Sequence, residues 1–425
     1  MSSLPVVKKR TKFGIFESAL ACIVFVLLNF LFVLGYSLLP NSMRANKAVY
    51  YLAQFLIESV FGVASWIVAT STNVDLLSAG GFKKKVNGKI VGLGAVLAFV
   101  SIIAFAMLSY VFLAFLELLG YTPSNSSIEI NNFGSYLIYI IVLCLAPAVF
   151  EEMLFRGTIA SGFKSFGVKM SVVLSALIFM IMHGSPDQTI HQFIVGMILG
   201  YLFIKSGNIW LGVITHFFNN FISVTQVYFA SMLSSGIPDD GVDTTVATAN
   251  PWVSLLFELT IAIILAVAGY FAVKKIVKMM IDESDRINAV SSPETANVND
   301  ATSNGLETPL IAETANAETT SQNGEDRFKI DPKEFEISKS DFEINDEDKI
   351  KTETQSLSES QSNLTLIVAE NGENTSSNAD AEKQETEKLE KSEKSVSMAT
   401  LIMFVLSGGY LVFEWIMSLV SGFFR

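Results

Sequence analysis

Cysteine is nearly absent: the 425-residue chain has two, Cys22 and Cys144, both inside apolar runs. That leaves no disulfide framework and no Cys/His spacing for a structural zinc. Charge is scarce too. Asp, Glu, Lys and Arg make up 16% of the residues against 51% hydrophobic, and the mean hydropathy of +0.46 is too apolar for an ordinary soluble enzyme. No long basic stretch carries interleaved aromatics, which argues against nucleic-acid binding. Histidine occurs only three times, as His183, His191 and His216.

What is abundant is apolar sequence in long runs. Runs of about 18 or more residues are long enough to cross a bilayer as helices. Eight are predicted before residue 280, over Ile15 to Leu39, Ala48 to Thr70, Ile90 to Leu119, Ser135 to Phe163, Met170 to His183, His191 to Ile204, Ile209 to Ala230 and Trp252 to Val273. A ninth covers Ala399 to Phe424. The fifth and sixth, at about 14 residues, are short for a full span and read as tilted or partly buried helices. The first run is too long for a cleaved signal, and it ends at Leu38-Leu39-Pro40 with no small-residue cleavage pattern. The expected fold is therefore an all-α, polytopic transmembrane bundle of about eight helices with one more at the C-terminus.

The formal net charge of -12 is unevenly distributed. Residues 281–400 hold 28 acidic against 11 basic residues, and the remainder holds 13 against 18. Residues 281–396 are rich in Glu, Ser, Thr and Asn, so they are predicted to be a disordered linker. Inside it Phe328-Lys-Ile330, Phe335-Glu-Ile337 and Phe342-Glu-Ile344 repeat with a step of seven. This 328–344 repeat suits a short extended segment that docks a cytoplasmic partner, or a low-complexity origin. Basic residues favour alternate loops: Lys8, Lys9, Arg10 and Lys12, then Lys83 to Lys85 and Lys89, then Lys164 and Lys169, Lys205, and Lys274, Lys275 and Lys278. The positive-inside bias places the N-terminus and the acidic linker in the cytoplasm. Arg44 and Lys47 are a minor exception.

Ionisable groups within apolar spans are expensive, so their positions point to function. The richest stretch, Glu151-Glu152-Met153-Leu154-Phe155-Arg156-Gly157, lies midway along the fourth run. Glu152 and Arg156, four apart, can pair on one helix face, while Glu151 points about 100 degrees away. Phe179 with His183, and His216 with Asn220, are likewise four apart. At about 1.5 Å per residue, Glu151 lies roughly 18 Å, His183 21 Å, His216 12 Å and Asn220 18 Å from the neighbouring cytoplasmic turns, so the four can meet at one level. Pro147 is expected to kink the fourth helix by freeing the carbonyl of Leu143.

Such a set suits hydrolysis. Glu151 can take a proton from water, His183 can orient that water or share its proton, and His216 and Asn220 can donate to an oxyanion. Arg156 would hold Glu152 in support. A plain buried ion pair is the competing reading of Glu152 and Arg156. A divalent metal held by His183, His216 and one glutamate is the alternative chemistry, although no His-Glu-x-x-His signature occurs. His191, at the start of a span, is left outside the site. Glu58, Glu258 and Glu414 are either protonated structural residues or parts of a polar path.

Glu151-Glu152-x-x-x-Arg156, Phe179-x-x-x-His183, Phe193-x-x-Gly196-x-x-x-Gly200 and His216-x-x-x-Asn220 together resemble the CPBP family of intramembrane proteases. That family includes type II CAAX prenyl endopeptidases and the bacterial Abi proteins linked to bacteriocin maturation and self-immunity. The resemblance implies a glutamate-dependent endopeptidase, of a family formerly described as metalloproteases, with Glu151, His183, His216 and Asn220 as catalytic residues and Glu152 and Arg156 in support; no cofactor is expected, a divalent metal being the alternative. It implies a membrane-associated or lipidated peptide substrate in the lipid bilayer. The chain would then divide into N-terminal transmembrane helices (1–133), a catalytic core (134–225), an eighth helix with its flanks (226–280), the linker (281–396) and a C-terminal helix (397–425). The rival functions are a non-catalytic scaffold or immunity protein, and a proton-coupled transporter.

Overall fold

The computed structural model describes residues 9–123, 130–234, 250–289 and 377–424, with backbone alone for 377–396. Among these residues there is no strand beyond one isolated bridge, Arg10 to Val74, and the architecture is all-α. Nine long helices occur among the described residues: α1 (Ile15–Ser37), α2 (Lys47–Ser71), α3 (Gly88–Leu118), α4 (Phe133–Ala160), α5 (Phe163–Met182), α6 (Pro186–Ser206), α7 (Ile209–Ser234), α8 (Pro251–Ala289) and α9 (Ser377–Phe423). Eight are long and apolar enough to cross a membrane, which makes this a multi-pass membrane protein. The exception is α7, whose 26 residues suffice in length but include His216, Asn219, Asn220 and Gln226.

Side-chain caps start the helices where the sequence supplies an oxygen. Asn46 Oδ1 accepts from the amide of Ala48 at 2.9 Å, Asn87 Oδ1 from Ile90 at 3.0 Å, and Asn132 Oδ1 from Ser135 at 2.8 Å. Each satisfies a donor that the first helical turn leaves over. Helices α5 and α6 are longer than the apolar runs, at 20 and 21 residues. Polar residues that bounded the hydropathy, Lys164, Lys169, Asp187 and Thr189, lie inside the helical ends.

The two largest apolar clusters of the bundle differ in their helices, and the first is built on the central helix α4. One joins Phe25 of α1, Val68 of α2, Leu154, Phe155 and Ile159 of α4, and Phe179 of α5. The other joins Leu97 of α3, Leu199 and Leu202 of α6, Leu211 of α7, and Val277 and Met280 of α8. Lipid is as apolar as leucine, so close packing and polar contacts, rather than water exclusion, hold such helices together. Gly196 shows the first device. A methyl there would lie 3.1 Å from Ala176 and 3.3 Å from Phe179, so the bare α-carbon is what lets α6 reach α5.

At one end of the bundle the polar connections knit together. Glu283 accepts from Asn87 at 2.7 Å, from Lys89 at 3.0 Å and from Arg286 at 2.5 Å, and Asn208 donates to Lys85 O and to Ser284 Oγ, each at 3.0 Å. These contacts carry α8 in helical form to Ala289, past the expected start of the linker at 281. At its other edge, α9 begins at Ser377, ahead of the expected boundary at 396. The rest of the expected linker, with the 328–344 repeat, lies outside the described residues. Within the unit formed by residues 1–300 and 393–425, α9 docks through Phe404 on Phe163 (ring centroids 5.7 Å) and through Trp415, whose Nε1 donates to Thr189 Oγ1 at 3.0 Å.

Candidate active site

The central helix α4 is irregular on both sides of its glutamates. Ile140–Leu145 and Met153–Ala160 are π-helical, and Ala146–Glu152 between them is α-helical. Wide π turns are uncommon and recur at functional sites, where they re-aim side chains. Thr158 contributes to the second one, donating from Oγ1 to the carbonyl of Met153, five residues back, at 3.2 Å.

Glu151, Glu152 and Arg156 are all buried, Glu152 and Arg156 completely. Arg156 Nη1 donates to Glu152 Oε1 at 2.6 Å and its Nη2 to the carbonyl of Gly196 at 3.3 Å. The guanidinium also lies 4.5 Å from the centre of the Phe179 ring. A cation that far from water gains from each of these contacts. His216, from α7, completes the chain of groups. Its Nδ1 is 3.1 Å from Glu152 Oε1 and its Nε2 is 3.9 Å from Glu151 Oε2. The two glutamates, the arginine and this histidine therefore form a single contact network, drawn from helices about 60 residues apart in sequence.

His183 sits half-buried at the end of α5. Its Nδ1 is 2.7 Å from the carbonyl of Phe179, which can only accept, so Nδ1 carries the hydrogen and Nε2 is the nitrogen left to face the site. The Phe179 ring stands between the two imidazoles, 4.7 Å from His183 and 5.9 Å from His216. Phe179 is thus the spacer of the site as well as a core residue.

Asn220 also has partners on α4 and α7. Its Nδ2 donates to the carbonyl of Leu143 at 3.0 Å, and its Oδ1 accepts from Asn219 at 3.2 Å. Leu143 lies four residues before Pro147, which has no N–H to offer it. The carboxamide braces the backbone that proline leaves open. Beside it, Asn219 Nδ2 lies 3.4 Å from His191 Nε2, which brings His191 into the polar network. Sequence reasoning left out His191 and Asn219. The adjacent pair Asn219-Asn220 within an apolar helix was the signal available.

Glu58, from α2, is the remaining acid. Its carboxyl is a near neighbour of Glu151. Among the described residues, seven buried side-chain polar atoms lack a protein hydrogen-bond partner, and five belong to this cluster: Glu58 Oε2, Glu151 Oε2, Glu152 Oε2, Arg156 Nε and Asn219 Oδ1. Buried polar atoms are normally satisfied, so their concentration here singles out the locality. No three His, Cys, Asp or Glu side chains among the described residues are grouped to hold a metal ion. His183, His216 and a glutamate do not form such a group.

Residues 133–222 match the family model described as type II CAAX prenyl endopeptidase Rce1-like. The match starts with α4, ends just past Asn220 and contains the whole cluster except Glu58. No curated protein and no solved structure matches the chain. Over this segment the chain is similar to the CPBP-type intramembrane proteases that its motifs resemble, a family of peptide hydrolases, and the segment is carried in a multi-pass membrane protein.

Proposed function

We propose that the protein is an intramembrane endopeptidase that hydrolyses a peptide bond in a membrane-associated or lipidated polypeptide, with water activated by Glu151. The observation that carries this reading is His216, held between Glu151 and Glu152 inside the matched segment at 3.9 and 3.1 Å. A bilayer-embedded acid and imidazole on separate helices suit a substrate that reaches the site through the membrane. A prenylated C-terminus is the substrate class for the CAAX-processing branch, and a leader or bacteriocin-type peptide is the class for the other.

In this reading Glu151 takes a proton from water as the oxygen adds to the peptide carbonyl carbon. His183 offers Nε2 to orient that water. The negative charge moves to the carbonyl oxygen, where His216 Nε2 donates to it. The second amide hydrogen of Asn220 is the other available donor. Collapse breaks the C–N bond, and the amine leaves with the proton held by Glu151. Glu152 and Arg156 keep His216 oriented and balance its charge, so they act by positioning. The polar end formed by Lys83 to Lys89, Asn208 and Glu283 is proposed to face the cytoplasm, in keeping with its basic loops.

The test is a comparison of membrane peptidomes from cells carrying the intact protein and its Glu151→Gln, His183→Ala and His216→Ala variants at matched levels. Peptides that appear only with the intact protein support proteolysis. Biological activity retained in Glu151→Gln, with no peptide difference, overturns it in favour of a scaffold. Uptake coupled to pH would instead favour a transporter.

A further inference from the structure

Four polar groups from three helices stand in a row that passes one turn beyond His216. The carbonyl of Leu143 on α4 lies 3.0 Å from Asn220 Nδ2, Asn220 Oδ1 lies 3.2 Å from Asn219 Nδ2, and that same nitrogen lies 3.4 Å from His191 Nε2 on α6. Neither His191 nor Asn219 is a specified position in any motif above.

The row has one direction. A backbone carbonyl only accepts, so the Asn220 nitrogen, and not its oxygen, faces Leu143. Asn220 therefore turns its oxygen to Asn219, which must answer with its own nitrogen. An amide nitrogen has hydrogens to give and no lone pair to offer, so the ring nitrogen of His191 that meets it is the acceptor. The hydrogen of that ring then sits on Nδ1. The whole order is set by one carbonyl that Pro147, four residues on, leaves without its helical partner.

Asn219 carries the consequence. It is 5% exposed, and its Oδ1 has no protein hydrogen-bond partner. Turning the carboxamide over would set that oxygen against Asn220 Oδ1, so the row leaves one acceptor unsatisfied and keeps its order. Both hydrogens of Asn219 Nδ2 are used, one on Asn220 and one on His191.

We propose that His191 and Asn219 are positioning residues for the oxyanion donor. The Asn220 carboxamide is held by Leu143 through one Nδ2 hydrogen and by Asn219 through Oδ1, which aims its second Nδ2 hydrogen at the peptide carbonyl. This rests on the oxyanion role given to Asn220 above. His216, the other donor, is held separately by Glu152. Donors fixed before charge develops need no reorganisation in the transition state, which is what makes them effective. His191 and Asn219 act only through Asn220, and neither exchanges a proton with the substrate.

The experiment uses the full-length protein in lipid nanodiscs with two readouts. Nitrogen NMR spectra of protein labelled on its histidine rings report which nitrogen carries hydrogen, and with three histidines in the chain each signal is assigned by the variant that lacks it. His191 is expected with hydrogen on Nδ1 and a bare Nε2. The second readout is cleavage of a labelled peptide that carries a prenylated cysteine near its C-terminus. His191→Leu, with no acceptor, is expected to lower kcat on the order of tenfold with KM near that of the parent, and Asn219→Ala should match it. His191→Gln, whose amide oxygen can accept, should recover most of the loss. Asn220→Ala should fall on the order of a hundredfold, and adding His191→Leu to it should lower kcat no further, because both act through one donor. A purely structural His191 would lower activity equally in either background. Such equal losses, or hydrogen on Nε2 of His191, overturn the proposal. If the parent cleaves no peptide, the protease reading fails, and the ring tautomer still decides whether the row of bonds exists.

Discussion

His216 Nδ1 lies 3.1 Å from Glu152 Oε1, the same oxygen that Arg156 grips at 2.6 Å. One carboxylate oxygen thus ties one guanidinium nitrogen of Arg156 to the imidazole of another helix. The orientation of His216 towards Glu151 depends on Glu152 keeping its place, and Glu152 keeps its place through Arg156.

Removing the arginine should therefore be severe. Arg156→Met leaves Glu152 buried without its cation and is expected to destabilise the protein by about 3–5 kcal/mol. Arg156→Lys should recover only part of this, because a lysine provides neither the planar fork nor the stack on Phe179. Pairing Arg156→Met with Glu152→Leu should restore most of the stability while activity stays low. Thermal unfolding in nanodiscs, read beside peptide release, checks the three variants, and a double variant no more stable than Arg156→Met would contradict the account.

Gly212 faces the same carboxylate. A methyl built there would lie 2.5 Å from Glu152 Oε2, and Glu152 cannot turn aside without leaving Arg156 and His216. Gly212→Ala should cost about 1–3 kcal/mol of stability and reduce peptide release on the order of tenfold or more. Gly92, which has open space at that position, is the control: Gly92→Ala should leave both quantities near the parent.

Asn220 and Pro147 should be energetically coupled. Asn220→Ala strips the Leu143 carbonyl of its donor, with an expected cost of about 1–3 kcal/mol. With Pro147→Ala an amide hydrogen is restored to the helix, and the loss of Asn220 should then cost less. A double-mutant cycle measures the difference, expected at about 1 kcal/mol. Strict additivity would mean that the two residues do not share the carbonyl.

The loop before α3 offers a pH test outside the spans. Hydrogen bonds from Ser78 Oγ at 2.5 Å and Lys83 Nζ at 2.9 Å hold the Asp75 carboxyl well below the usual carboxylate range. A depressed acid contributes stability that is present above its unfolded value, near ~4, and lost as pH falls through the folded one. Trp210 reports on this loop, since its Nε1 donates to the carbonyl of Phe82 at 3.0 Å. The fluorine resonance of a fluorotryptophan at 210 should hold steady from pH 7 to about 4 and move only below that. In Asp75→Asn the low-pH step should vanish; because the pair is exposed, the effect should be small and weaken in salt.

Much of this was legible in the chain before any fold was known. Apolar runs announced the spans, and the spacing of Glu152 and Arg156 announced their pair. The lengths of α5 and α6 were not legible, because hydropathy fades at lysines and aspartates that a helix tolerates at its ends. The brace from Asn220 to Leu143 escaped for a different reason. Pro147 showed that a carbonyl would be left over, but not which side chain from a distant helix would reach it. Glu58 looked like any acid in an apolar run.

By itself, the sequence determined that the protein crosses the membrane many times and which helix carries the paired acids. Both follow from local rules, the apolar length of a run and the periodicity of a helix. Only the tertiary structure decided that His216 meets Glu152, that Asn220 serves the backbone and that Glu58 is a near neighbour of Glu151. Those contacts join residues between 64 and 93 positions apart. They depend on how closely one helix can lie against another, which is set at places such as Gly62 and Gly212 by the absence of a side chain.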